Sequence, residues 1–257
     1  MAQHTFSTVR GKRLRVTELD ECGGVSDKSN MITSDGFISV TISPETEDGS
    51  EIIVKNANGD ICINEIGNPS FKYFTVEIEF CRVNPALLAI MTNADEYLDY
   101  AGDLSGFTVP EGTLSGAFAL ELWLGMSGQG CLSGNSGEAS AYMLLPYVSQ
   151  GVLGELEING EDAITFKMTA SVTKGGNTWG VGPYNVMLKE DGTPAKLPTA
   201  IDPLDHLLLS DTGYAPPAVT ADPMTVAEWN KLVTNPAPTP DPAPADHSPA
   251  NPDAPAE

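Results

Sequence analysis

Two segments of this sequence alternate apolar and polar residues with a period of two, and this pattern constrains the fold more than any other feature. Residues 74–80 read Phe-Thr-Val-Glu-Ile-Glu-Phe, and residues 118–124 read Phe-Ala-Leu-Glu-Leu-Trp-Leu. Such alternation is typical of a β-strand that buries one face and leaves the other in solvent. We therefore expect a mainly β protein, with Glu77, Glu79 and Glu121 on polar strand faces.

A hairpin and two short helices are also predicted. Asn58-Gly59 separates the apolar runs 51–55 and 60–64, and Asn-Gly is the strongest short-range hairpin signal because both turn residues need a positive φ. Asn84-Pro85 can begin a helix of about two turns. Thr225 and Glu228 have the spacing of a capping box at the start of a second helix.

The chain divides into four predicted segments. Residues 1–34 are expected to form a basic N-terminal arm, and residues 35–192 a β domain with long loops, one of them at residues 93–116. Residues 193–234 are expected to be extended and to end in the short helix. Residues 235–257 are rich in Pro, Ala and Asp and have no aromatic residue, which predicts a disordered or extended acidic tail.

The charge distribution restricts the possible partners. The chain has 35 acidic and 13 basic residues, for a net charge of −22. Residues 83–166 contain eleven carboxylates and no lysine or arginine. Nucleic-acid binding needs cations against phosphates, so the charge disfavours it. No apolar run approaches the ~18 residues of a membrane span, and the first residues lack the apolar core of a secretory signal.

The exception to this acidity is near the N-terminus, where the arm carries four cations: Arg10, Lys12, Arg13 and Arg15. Two interpretations remain open. The arm can be a solvated tail, or it can bind an acidic neighbour such as another copy of the chain. The second interpretation predicts that a chain without residues 1–20 folds as a monomer and does not polymerise.

No pattern of catalytic, cofactor-binding or metal-binding residues is evident. The four cysteines are widely spaced without a C-x-x-C pair, and we expect them to be reduced and buried, although Cys62 and Cys81 lie on neighbouring predicted strands. Three histidines, two of them near the termini, make a histidine-based catalytic triad improbable. The phosphate-binding glycine motifs are absent. We therefore predict that the protein is not an enzyme.

The order of several segments resembles the major tail proteins of long-tailed, siphovirus-type bacteriophages. These segments span about residues 35 to 210, and none is a catalytic signature. They are residues 51–64, 74–85, 142–147, 179–186 and 201–206.

The resemblance implies a tail tube protein with a β-sandwich or barrel core and a flanking helix. Its subunits would form hexameric rings that stack into a tube, assembled in the host cytoplasm and located in the virion tail. The implied partners are further copies, other tail proteins at the tube ends, and genomic DNA that passes without specific binding. Glu77, Glu79 and Glu121 are then candidates for carboxylates that line the bore.

Two other classes of function are weighed against this one. A capsid-decorating or surface β-sandwich that binds carbohydrate would need exposed aromatic residues, for which Trp123 and Trp179 are candidates. A hydrolase would need two carboxylates that converge in a cleft, for which Asp95-Glu96, Glu155/Glu157 and Glu161-Asp162 are candidates.

Overall fold

The computed structural model describes residues 8–20, 22–92, 94–112, 116–126, 140–155, 165–174 and 179–234. Within these residues the protein is mainly β, as the alternating segments predict. The elements in chain order are β1 (Thr8–Glu18), β2 (Asn30–Ser34), β3 (Phe37–Glu47), β4 (Glu51–Lys55), β5 (Ile61–Ile66), β6 (Ser70–Phe80), α1 (Pro85–Thr92), β7 (Asp95–Leu98), β8 (Leu104–Thr108), β9 (Ala117–Met126), β10 (Ser140–Leu153), β11 (Phe166–Lys174), β12 (Met187–Leu188), β13 (Pro194–Ala195), β14 (Leu208–Thr212), β15 (Met224–Thr225) and α2 (Val226–Thr234).

The main sheet has nine strands, and every pairing in it is antiparallel. Its order is β15-β2-β1-β9-β10-β11-β6-β3, with β14 paired to the first part of β10. Gly11 on β1 lies against the ring of Phe37 on β3, which is five strands away in the sheet order, and this contact shows that the sheet curls. A side chain at Gly11 would collide with that ring, so glycine permits the close approach.

One face of the sheet packs against α1. Leu14, Leu120 and Ile78 contribute to this core from three different strands, and Leu87 and Met91 contribute from the helix. All five side chains are fully buried. The helix predicted at Asn84-Pro85 is thereby confirmed, and it fills the inside of the curled sheet.

A second core lies on the opposite face of β1, β9 and β10. Trp123 and Tyr142 of the sheet pack there against a segment that we call the C-terminal cover, residues 179–234. The cover contributes most of the remaining buried side chains of this core: Trp179, Tyr184, Val186, Leu197, Val226 and Trp229. The central strands are consequently buried on both faces.

Hydrogen bonds explain where the two helices begin. The Asn84 carboxamide oxygen accepts the N–H of Ala86 at 2.9 Å, which caps α1. At α2 the Glu228 carboxylate accepts the Thr225 N–H at 2.9 Å, and the Thr225 hydroxyl accepts the Glu228 N–H at 3.3 Å. The capping box is confirmed. The hydrogen bond from the Thr225 N–H, and after it the one that the Thr225 hydroxyl donates to the carboxylate at 2.8 Å, lower the pKa of Glu228.

Three two-stranded sheets lie outside the main sheet within the described residues, namely β4–β5, β7–β8 and β12–β13. The β4–β5 hairpin turns at Asn58-Gly59, where Gly59 has a φ of 88° and the Asn56 side chain accepts two backbone N–H groups. The sequence predicts a hairpin at this place, but the expected positive φ at both turn residues is found at Gly59 and not at Asn58. The β7–β8 hairpin, by contrast, occupies part of the predicted loop at 93–116, so the expectation of a loop without strands is wrong there.

Two predicted segment boundaries also need correction. Residues 8–18 form β1, which pairs with β2 on one side and β9 on the other, so they are not an arm. Residues 193–234 are not a separate extended segment, because Leu197 and Trp229 belong to the second core. Residues 1–7 and the predicted tail at 235–257 lie outside the described residues.

Candidate functional site

The β4–β5 hairpin is the most unusual surface of the described structure. All eleven residues of its two strands are exposed. Six of them are aliphatic and 45–68% exposed: Ile52, Ile53, Val54, Ile61, Ile63 and Ile66. An isolated two-stranded sheet is at best marginally stable in water and is normally completed by a third strand or a packed helix. The hairpin therefore presents apolar surface that neither core covers.

The strand register assigns these side chains to two faces. Val54 lies opposite Ile63 and Ile52 opposite Glu65, so Ile52, Val54 and Ile63 share one face. Ile53 and Ile66 share the other face, opposite Asn64 and Glu51 respectively. The hairpin is consequently apolar on both sides.

Two of the three candidate carboxylates, Glu77 and Glu79, lie on β6, and the predicted polar face of this strand is confirmed. Glu77 is exposed and Glu79 is partly exposed, while the residues that alternate with them, Val76, Ile78 and Phe80, are buried. Glu77 lies between Thr41 on β3 and Thr169 on β11. Glu79 lies beside Lys167 on β11, so a cation accompanies it on this face.

Glu121 does not lie on a solvent face, and its assignment to the polar surface is wrong. Its side chain is fully buried in the second core, where it forms a two-pronged ion pair with Arg15. The Arg15 Nε and Nη2 groups donate to the two carboxylate oxygens at 2.6 and 2.7 Å. Arg15 is likewise 1% exposed, so it cannot act as a cation on a mobile arm.

Aromatic rings enclose this ion pair. The Arg15 guanidinium carbon lies 3.8 Å from the centre of the Tyr184 ring and 5.7 Å from that of Trp229, both from the C-terminal cover. Tyr142 donates its hydroxyl hydrogen to Glu121 at 2.6 Å. These contacts satisfy a charged pair whose burial would otherwise be costly.

The pKa values of the cluster follow from burial and charge. Burial raises the pKa of Tyr142, and the negative charge of Glu121 raises it further. Burial also raises the pKa of Tyr184. For Arg15, burial opposes the charged form, but the attraction of Glu121 outweighs it and the pKa is raised. The guanidinium therefore stays charged inside the core.

The other three cations predicted for the arm lie toward the beginning of β1. Arg10 is exposed and Lys12 is half-buried. Arg13 forms an ion pair with Asp35 at 3.5 Å, and Arg82 approaches the same carboxylate at 3.4 Å. Arg10, Lys12 and Arg13 therefore belong to β1 of the folded sheet. Removal of residues 1–20, the change proposed above to test polymerisation, would delete this core strand and not a free arm.

Acidic residues and aromatic rings share the β7–β8 hairpin. Asp95 and Glu96 are exposed on β7 together with Tyr97 and Leu98. Tyr100 in the turn is fully exposed. This sheet is therefore a second surface that combines apolar side chains with negative charge.

The residues named for the alternative functions can be placed only in part. Trp123 and Trp179, the candidates for carbohydrate contact, are 0% and 6% exposed. Among the described residues no three His, Cys, Asp or Glu side chains form a group that could hold a metal ion. Of the candidate acid pairs, Glu157 and Glu161-Asp162 fall outside the described residues.

Two further observations concern cysteine and membranes. Cys22, Cys62 and Cys81 are free, as predicted, but exposed, so the prediction of buried cysteines is wrong for these three. Cys131 falls outside the described residues. In the part of the chain that the structure describes, no helix combines the length and apolar character needed to cross a membrane.

Fold and surfaces together define a mainly β protein whose central sheet is covered on both faces. Its β4–β5 hairpin has no cover from either core, and its β7–β8 hairpin packs against α1 and the first core through Leu104. A comparison with known proteins found no protein family whose model matches the chain and no curated protein that matches its sequence.

One signal in the sequence could have revealed the buried ion pair. On the strand face of Glu121, the residues two positions away are Ala119 and Trp123, which are apolar. On the corresponding face of β6, the residue two positions before Glu77 is Thr75 and the one two positions after it is Glu79. A carboxylate flanked on its own face by apolar residues indicates burial with a partner.

Proposed function

We propose that this protein is a structural subunit that polymerises into the tail tube of a long-tailed bacteriophage. In this proposal stacked hexameric rings form a negatively charged conduit through which the genome is ejected. The observation that carries the proposal is the β4–β5 hairpin, whose aliphatic side chains have no cover within the subunit.

Exposed apolar surface of this extent favours association. Single exposed hydrophobic residues are common on soluble proteins, but contiguous patches above a few hundred Å² mark interaction sites. The aliphatic side chains of the β4–β5 hairpin are distributed over both of its faces, and neither core covers them. Burial of these side chains against neighbouring subunits removes apolar surface from water, and this stabilises the assembly relative to the monomer.

The charge of the protein supports a conduit that does not retain DNA. A net charge of −22 gives phosphates few cations to pair with. Repulsion between like charges acts over about 8–10 Å at physiological salt. Glu77 is the stronger of the two remaining candidates for the bore, because Lys167 lies beside Glu79.

The mainly β fold, in which α1 packs against one face of the sheet, and the order of the segments from residue 35 to 210 are compatible with this proposal. The other elements of the proposal follow from the resemblance alone. They are further copies and tube-end proteins as partners, assembly in the host cytoplasm and location in the virion tail.

The test is direct imaging of the purified protein. We expect rings or tubes in negative-stain electron micrographs and a concentration-dependent increase of sedimentation coefficient. A protein that remains monomeric at all accessible concentrations contradicts the proposal. In a reconstruction of the tube, Glu77 is expected to face the bore, and a position on the outer wall contradicts its assigned role.

A further inference from the structure

We propose that the β4–β5 hairpin of each subunit is held between two neighbouring copies of the chain, one against each face. This inference rests on the proposed self-assembly and specifies which surface it uses and how many partners that surface has. It starts from the distribution of apolar side chains over both sides of the hairpin.

Both faces need a cover for the same physical reason. Ile52, Val54 and Ile63 lie on one face, and Ile53 and Ile66 lie on the other. Each of these five side chains is between 45% and 68% exposed. A partner that packs against one face leaves the apolar side chains of the opposite face in water, because successive side chains of a strand point to opposite sides.

The area available on one face is too small for a stable dimer. Two or three half-exposed aliphatic side chains give only a fraction of the roughly 800 Å² per partner that a stable interface buries. Cover on both faces approximately doubles the buried apolar surface of the hairpin. The hairpin therefore gains most when it lies between two neighbours.

A copy of the same chain offers suitable surface to complete this contact. Its β7–β8 hairpin exposes Tyr97 and Leu98, with Tyr100 in the adjacent turn. Contacts between the β4–β5 hairpin and a different surface of the next copy are heterologous, and heterologous contacts generate rings or filaments. The expected products are closed rings or open filaments, and a closed dimer does not satisfy both faces.

Two matched double variants test the faces separately. Ile52→Thr with Ile63→Thr alters one face, and Ile53→Thr with Ile66→Thr alters the other, while threonine keeps the β-branched shape that strands favour. We expect each double variant to raise the concentration needed for assembly by at least about tenfold. Analytical ultracentrifugation and negative-stain microscopy measure this concentration.

The control is Val152→Thr, which alters a side chain on β10 that is 43% exposed and lies outside the hairpin. It should assemble like the original protein, and all variants should keep the original melting temperature, since the hairpin lies outside both cores. If either double variant assembles at the original concentration, that face has no partner and the inference is overturned while the proposed function stands. If the original protein itself never assembles, the proposed function fails instead.

Discussion

Strands β6 and β9 carry nearly the same sequence pattern and have opposite environments. In both strands apolar residues alternate with a second set of residues that includes glutamate, and both strands lie in the same sheet. The polar side of β6 remains partly in solvent, with Glu77 exposed. The corresponding side of β9 lies beneath the C-terminal cover, where Glu121 is fully buried against Arg15.

The difference shows that alternation identifies a strand without identifying its solvent face. In β9, alternate side chains point into the first core and the second core, so neither face of the strand meets water. A second layer from a distant part of the chain decides whether a glutamate on such a strand is a surface charge or half of a buried ion pair. The comparison leads to four predictions on stability, ordered by the size of the expected effect.

The largest effect is expected for Glu121→Gln. This change leaves the Arg15 guanidinium buried without its counter-charge, which costs about 3–5 kcal/mol of unfolding free energy. Urea unfolding followed by circular dichroism measures the loss. A loss below about 1 kcal/mol would mean that solvent reaches the pair and that β9 resembles β6 after all.

A double variant serves as the control for this prediction. Arg15→Met with Glu121→Leu removes both charges, and the remaining cost should come mainly from the unpaired hydroxyl of Tyr142. We expect the double variant to be more stable than Glu121→Gln. Equal or lower stability would contradict the assignment of the loss to an uncompensated charge.

The second prediction concerns the cover itself. Trp229 on α2 is 9% exposed and lies over Arg15, so Trp229→Ala removes a large side chain from the second core. The expected loss is about 3 kcal/mol. Leu232→Ala on the same helix is the matched control, because Leu232 is 49% exposed and should cost about 1 kcal/mol or less. Similar losses in the two variants would show that α2 is not a close cover of the ion pair.

The third prediction is a loss of stability at alkaline pH. The pKa of Tyr142 is raised, by burial first and by Glu121 second, above its ordinary value of about 10. Above pH 10 the unfolded chain releases this phenolic proton while the folded protein retains it, so stability falls as pH rises. The contribution of one such group is at most about 1.4 kcal/mol per pH unit.

Unfolding free energies measured between pH 9 and 11 test this dependence. Tyr142→Phe lacks the titrating group and should lose stability less steeply with pH than the original protein. Identical slopes in the two proteins would contradict a raised pKa of Tyr142. Tyr97→Phe, at an exposed position on β7, is the control and should leave the slope unchanged.

The smallest effect is expected for Glu77→Gln. Its side chain is exposed between two threonines, so the unfolding free energy should change by less than about 0.5 kcal/mol. The same urea experiment as for Glu121→Gln measures it. A loss comparable to that of Glu121→Gln would remove the distinction between the two strands.

Local signals in the sequence predicted several elements correctly because short-range interactions determine them. Asn58-Gly59 permits the positive φ of the β4–β5 turn, and the Asn84 side chain caps α1 through a residue two positions away. The capping box of α2 also involves residues only three positions apart. Such contacts are available to the chain before any tertiary packing.

Long-range contacts account for what the sequence did not reveal. Arg15 was assigned to an arm because cations cluster around it, and only the pairing of β1 with β9 brings it to Glu121, 106 residues away. The exposure of the β4–β5 hairpin was equally hidden, because the apolar runs beside Asn58-Gly59 predict a hairpin and do not show whether another part of the chain packs on it. That they are exposed follows from the absence of packing from either core, which no local pattern encodes.

The sequence by itself determined the mainly β class, the alternating strands, the Asn-Gly hairpin and the two capped helices, because these depend on backbone preferences and near-neighbour hydrogen bonds. The apolar neighbours of Glu121 on its strand face indicate its burial, but the tertiary structure alone decided that its partner is Arg15 and which apolar residues remain without a cover. The reason is that burial depends on the layer that packs from elsewhere in the chain. In this protein that layer is the C-terminal cover, which reaches β9 and leaves β4 and β5 bare.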